Sequence, residues 1–200
     1  MHEQRIHQRF IDGADLHYQW AEALARPIAE ASQAVLACVT GGGKVLACGN
    51  GASGALAQVL VALLVGGFGR PRPELPALAL GADAATLSAA AARAGGYDDA
   101  LAAQVRALGS AGDLLLVLST NGQAANLLRA TEAAHERDMS VVALTGAGGG
   151  ELGRLLRDTD VQVCVPGEHA ARIHEAHLLV LHCLCDGLDQ QLLGDEESAA

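Results

Sequence analysis

Aromatic side chains are nearly missing from this chain: Phe10, Tyr18, Trp20, Phe68 and Tyr97 are all that its 200 residues contain. A core without them falls to Ala, Leu and Val, small residues that let helices approach closely and suit a helix-rich, oligomer-forming protein. There is no basic stripe, and the formal net charge is -10. That argues against direct contact with DNA or RNA, which draws on clustered Lys and Arg to displace counterions from phosphates. No uninterrupted apolar run reaches the ~18 residues expected of a membrane span, and MHEQRIHQRF has no apolar core of signal-peptide length. A cytoplasmic protein with no membrane partner is expected. Cys38, Cys48, Cys164, Cys183 and Cys185 are odd in number and mostly set in apolar runs, which fits reduced buried thiols better than a disulfide framework. None has the spacing of a zinc knuckle, and Cys183 and Cys185 project about 200° apart on a helix.

Half of the residues are hydrophobic, enough for one domain with a substantial core. Residues 10–38 read as helical, with Arg26-Pro27 as a break between two amphipathic helices or as the first turn of the second. Short apolar runs then alternate with longer helical stretches: strands at 44–48, 77–80, 114–119, 140–146 and 161–166, and helices from Ala52, Asp83, Tyr97, Gln123 and near 151–157. A long final helix, Ala170 to about Leu193, carries several histidines. This alternation predicts an α/β fold with a mostly parallel sheet covered on both faces. The expected organisation is N-terminal helices over 1–40 for oligomerisation, a main domain over 41–194 and an acidic tail over 195–200.

Strands of this kind bind ligands at their carboxyl ends. Here those ends read CGNGAS (48–53), LSTNGQAAN (118–126) and ALTGAGGGEL (143–152). In the second, a buried strand runs into Ser119, Thr120, Asn121 and Gly122 just before a helix. Two explanations fit: free backbone N-H groups and hydroxyls that hold an anion, or a plain helix cap.

Taken together and in this order, the three loops resemble those of the sugar isomerase (SIS) fold. That fold is a flavodoxin-like, three-layer, five-stranded parallel sheet flanked by helices that binds phosphorylated sugars. The chain resembles its phosphoheptose isomerase branch, and within it the DiaA group of replication-initiation regulators that associate with DnaA. QVRALGSAGDLLLVLST, RDMSVVALTGAGGGEL and ARIHEAHLLVLHCLCDGLD carry that likeness. It implies phosphosugar binding by Asn50, Gly51, Ser53, Ser119, Thr120, Asn121, Gly122 and Gln123, with the Gly122 and Gln123 amides free for a phosphate.

The enediol chemistry of the branch needs a general base on one side of a carbon pair and an acid on the other. The resemblance places a Glu and a His on the helix after the first loop, where this chain has Leu63 and Val59. His182 stands at the other catalytic position. His174 stands where metal-containing members carry a Gln that completes a zinc site. Two histidines eight apart lie about 80° out of line and do not close a tetrahedral site without ligands at 59 and 63, so neither metal nor cofactor is expected. The Asn-Asp pair of the isomerases is replaced by Arg93-Ala94.

These departures lead to the expectation of a DiaA-like homotetrameric regulator of replication initiation that binds DnaA and lacks isomerase activity. Phe10, Trp20 and Leu24 are its expected oligomer seam, with a core helix as the competing reading, and Leu192 and Leu193 its expected partner contacts, with completion of the last helix against the core as the equal alternative. The alternative is a phosphoheptose isomerase converting sedoheptulose 7-phosphate to D-glycero-D-manno-heptose 7-phosphate. It would use His182 and a carboxylate brought in from elsewhere, for instance Glu175 or Asp83. A sugar-phosphate sensor is the third class.

Overall fold

The computed structural model describes residues 1–93 and 95–194. Five parallel strands form one sheet: β1 (Val45–Gly49), β2 (Ala77–Ala79), β3 (Leu114–Leu118), β4 (Ser140–Gly146) and β5 (Val161–Val165). Their order is β2-β1-β3-β4-β5. The helices are α1 (His2–Thr40), α2 (Ala52–Gly66), α3 (Ala84–Ala91), α4 (Gly96–Leu108), α5 (Ala125–Glu136), α6 (Gly150–Leu155) and α7 (Ala170–Leu193). The expected α/β architecture is the observed one.

Side-chain alternation along the strands sorts the core into two layers. Val45, Ala47, Leu114, Leu116, Leu118, Val142 and Leu144 face one way, into a core with α1, α2 and α7. Leu46, Cys48, Leu115, Val117, Val141 and Ala143 face the other, against α4, α5 and α6. Both faces are covered, so the strands read as nearly continuous apolar runs. Asp113 pins the register where β1 and β3 begin. Its carboxylate accepts from the Lys44 amide at 2.9 Å and the Ser110 amide at 2.8 Å, and pairs with Lys44 Nζ at 2.5 Å.

The N-terminal segment differs from expectation, because α1 runs unbroken through Pro27. Proline removes one helical hydrogen bond, but the buried stripe Trp20, Leu24, Ala31, Val35 and Cys38 keeps helical phase across it, with spacings of four, seven, four and three. Packing on both sides therefore overrides the local break. The helices expected from Asp83 and from Tyr97 are α3 and α4, with α3 ending at Ala91. Asp83 caps α3 by accepting from the Thr86 amide at 2.6 Å. The cysteines of the described residues are unbridged. Burial pushes the Cys48 and Cys185 thiols up to about 12, as expected of structural thiols.

Candidate functional site at the carboxyl ends of β1 and β3

The strand order reverses between β1 and β3, the topological switch point where open α/β sheets bind ligands. The loop after β1 supplies Asn50, Gly51 and Ser53, and the loop after β3 supplies Ser119 to Gln123. Asn50 and Asn126 join the two loops through a reciprocal amide pair: Asn50 Nδ2 donates to Asn126 Oδ1 at 2.9 Å and Asn126 Nδ2 to Asn50 Oδ1 at 2.8 Å. Tyr97, at the start of α4, adds its hydroxyl to Asn50 Oδ1 at 3.1 Å. The third loop packs beneath. Gly122 has a φ of +65°, and a Cβ there would overlap the Gly149 carbonyl oxygen, so the 118–126 and 143–152 loops approach as closely as backbone allows.

The expected phosphate ligands are thus gathered at one place, but not all of them are free. Ser119 is buried, and its Oγ accepts from the Gly122 amide at 3.0 Å. Asn121 Oδ1 accepts from the Gln123 amide at 3.2 Å, closing an Asx turn. The two amides expected to be open to an anion are therefore engaged by side chains of their own loop. The Ser-Thr-Asn-Gly cluster does not cap the helix after it: α5 starts at Ala125, and its N-cap Ala124 has no side-chain capping bond. Gly51, the N-cap of α2, has none either. Two helix N-termini thus begin without a side-chain cap at neighbouring strand ends, an arrangement that favours an anion. Within them, however, the Ser53 and Gly54 amides of α2 donate to the Asn50 carbonyl at 3.0 and 3.4 Å, and the Leu127 amide of α5 to the Ala124 carbonyl at 3.0 Å.

Ser53, in the first turn of α2, is 4% exposed, and its Oγ lies 3.1 Å from His174 Nε2 on α7. His177, one turn on, is fully buried and donates from Nε2 to the Thr145 carbonyl at 3.1 Å. Burial, offset in part by that hydrogen bond, pulls its imidazole down to about 4, which keeps it neutral at pH 7. His182 is half-buried against Phe68, with ring centroids 5.4 Å apart. Eight residues of helix place it about 12 Å along the α7 axis from His174.

A model of the SIS domain matches residues 10–146. The chain belongs to the SIS domain family. It is 53% identical to the phosphoheptose isomerase of Methylibium petroleiphilum over 98% of each chain. It is 46% identical to that of Dechloromonas aromatica over 96% of this chain and 97% of the relative. Among solved structures, phosphoheptose isomerase GmhA from Neisseria gonorrhoeae superposes with a TM-score of 0.89 at 41% identity, over 95% of this chain and 100% of the other. The enzyme from Francisella tularensis does so with a TM-score of 0.90 at 42% identity, over 95% and 99%.

This SIS domain is therefore of the phosphoheptose isomerase branch. The same relatives overturn the expected reading as a DnaA-binding regulator of replication initiation: likeness along almost the whole chain is to proteins named for the isomerase. The segments that carry the DiaA likeness are local, whereas the relatives named phosphoheptose isomerase match almost the whole chain.

Position by position, this SIS domain departs from the pattern that the resemblance implies. Val59 and Leu63 are half-buried, and Leu63 packs on the sheet core. The whole of α2, Ala52–Gly66, carries no ionisable side chain. Neither carboxylate considered as a replacement is available: Asp83 caps α3, and Glu175 pairs with Arg172 at 2.6 Å. The residues present do not fit a zinc ion. The side chains at 59 and 63 are aliphatic, His177 is turned to Thr145, and no three candidate ligands gather among the described residues. Trp20 and Leu24 are buried within the chain, whereas Phe10 is 77% exposed. Leu192 is 37% exposed and Leu193 half-buried. Ala94 and the acidic tail lie outside the described residues. Tyr97 and the contact of His174 with Ser53 escaped sequence reasoning, since both depend on helices far apart in the chain.

Proposed function

We propose that this SIS domain is an aldose-ketose isomerase of the phosphoheptose type, interconverting sedoheptulose 7-phosphate and D-glycero-D-manno-heptose 7-phosphate. The observation that supports it most is the open end of the sheet at β1 and β3. There the uncapped starts of α2 and α5 lie with Ser53, Ser119 and Thr120, in a chain whose full-length relatives bear the isomerase name. In this reading Asn50, Gly51, Ser53, Thr120, Asn121 and Gln123 surround the phosphosugar, and Ser119 and Gly122 shape the loop that receives it. The carbon-bound proton moves to the neighbouring carbon through an enediol, with His182 serving as acid or base from α7.

One observation favours a second reading, a phosphosugar-binding protein without turnover: the absence of any ionisable side chain from α2. Incubating the purified protein with sedoheptulose 7-phosphate in deuterium oxide separates the two. Conversion with deuterium appearing at the reacting carbon, abolished in His182→Ala, supports the isomerase. Saturable binding without conversion or exchange supports the receptor.

We also infer that the chain assembles as a homotetramer through α1 and α7. The groove between these helices, about 500 Å³, is lined by Trp20, Leu24, Ile28, Leu179 and Cys183. Along it His17 Nε2 and Ser32 Oγ are buried without a partner, as polar atoms are where a further surface supplies one.

A further inference from the structure

The candidate phosphate cradle has no cation of its own. The loops over 48–53, 118–126 and 143–152 contain neither Lys nor Arg. A phosphate held there depends on neutral donors that point the right way. Two such donors, the Gly122 and Gln123 amides, are already engaged by Ser119 and Asn121. The direction of each remaining hydroxyl proton therefore carries more weight.

Ser53 has one hydroxyl proton and is 4% exposed, so its orientation is set by its neighbour. That neighbour is His174, whose Nε2 lies 3.1 Å from Ser53 Oγ. A hydroxyl both donates and accepts, and an imidazole nitrogen does one or the other according to tautomer. With Nε2 bare, Ser53 donates to His174 and turns its lone pairs to an incoming anion, which repels it. With Nε2 protonated, His174 donates to Ser53, and the serine proton is free for a phosphate oxygen.

The geometry points to His174 as the positioning residue of the phosphosugar site: by donating from Nε2 to Ser53 Oγ, it turns the Ser53 hydroxyl proton toward the bound phosphate. This inference rests on the phosphosugar-binding half of the proposed function and is independent of turnover. The neutral Nε2-H tautomer is sufficient, and the imidazolium donates in the same direction. An anion at the cradle selects either over the Nδ1-H tautomer.

Calorimetric titration with sedoheptulose 7-phosphate tests it in the intact protein and four variants: His174→Leu, His174→Gln, Ser53→Ala and the Ser53→Ala/His174→Leu double variant. Leu removes the donor, and Gln keeps an amide N-H that can reach Ser53. The expected result is a loss of about tenfold for His174→Leu, near the worth of one well-placed hydrogen bond, with Gln restoring most of it. The double variant should bind no more weakly than Ser53→Ala, because His174 acts through that hydroxyl. Additive losses, or a Leu variant that binds like the natural protein, overturn the positioning role while leaving the site intact. A natural protein that does not bind the sugar phosphate overturns the site itself and this inference with it. Matched thermal unfolding of the variants excludes a folding defect as the source of any loss.

Discussion

Arg72 and Asp189 form an ion pair at 2.6 Å with side chains only 1% and 4% exposed. Arg72 also donates to the Leu63 and Leu64 carbonyls at 2.9 and 2.8 Å, closing the carboxyl end of α2. Asp189 accepts from the Gly69 and Arg70 amides at 3.1 and 3.3 Å, which fixes the turn that presents Phe68 to His182. Removing one partner leaves a buried, uncompensated charge. Asp189→Ala should therefore lower unfolding stability by about 3–5 kcal/mol, measured by urea denaturation. Replacing both residues with apolar ones of similar volume should cost much less.

The buried His177 makes stability pH-dependent. Its imidazole titrates near 4 in the fold and about 6.5 in the unfolded chain. Between those values the unfolded chain binds more protons, so stability is complete above pH about 6.5 and falls as the pH is lowered toward 4. The loss should be on the order of 3 kcal/mol. Unfolding curves at several pH values should flatten over this window in His177→Gln, and an unchanged slope would refute the assignment.

Gly122 is held at φ +65° against the Gly149 carbonyl. Gly122→Ala adds both left-handed strain and a backbone clash, so the 118–126 loop must move. A destabilisation of about 1–3 kcal/mol is expected, together with weakened sugar-phosphate binding read by calorimetry. Gly42 also has positive φ, but open space lies around the position of its Cβ. Gly42→Ala should leave binding unchanged.

Leu179 lies on the exposed side of α7 in the groove beside α1, 45% exposed. A charge there is harmless in a monomer and costly in an assembled seam. Leu179→Glu should shift light-scattering mass from tetramer to a smaller species, with the circular dichroism of the natural protein. A natural protein that runs as a monomer would remove the proposed assembly.

Much of this protein was written locally. The runs at 114–118 and 140–146, the glycine stop after α2 and the long α7 all follow from hydrophobic period and breakers, which depend on neighbours a few residues away. So does the clustering of the three loops, because strand-helix alternation forces their strands parallel and sets their ends side by side. Tertiary structure decided what acts between distant segments. It kept α1 continuous through Pro27, since buried residues on both sides stay in phase. It assigned the Gly122 and Gln123 amides to Ser119 and Asn121, which no spacing rule distinguishes from free donors. It also placed His174 against Ser53, and His182 about 12 Å farther along α7 against Phe68. Hydrogen-bond partners and burial are properties of the packed chain, and the sequence encodes them only through the fold it selects.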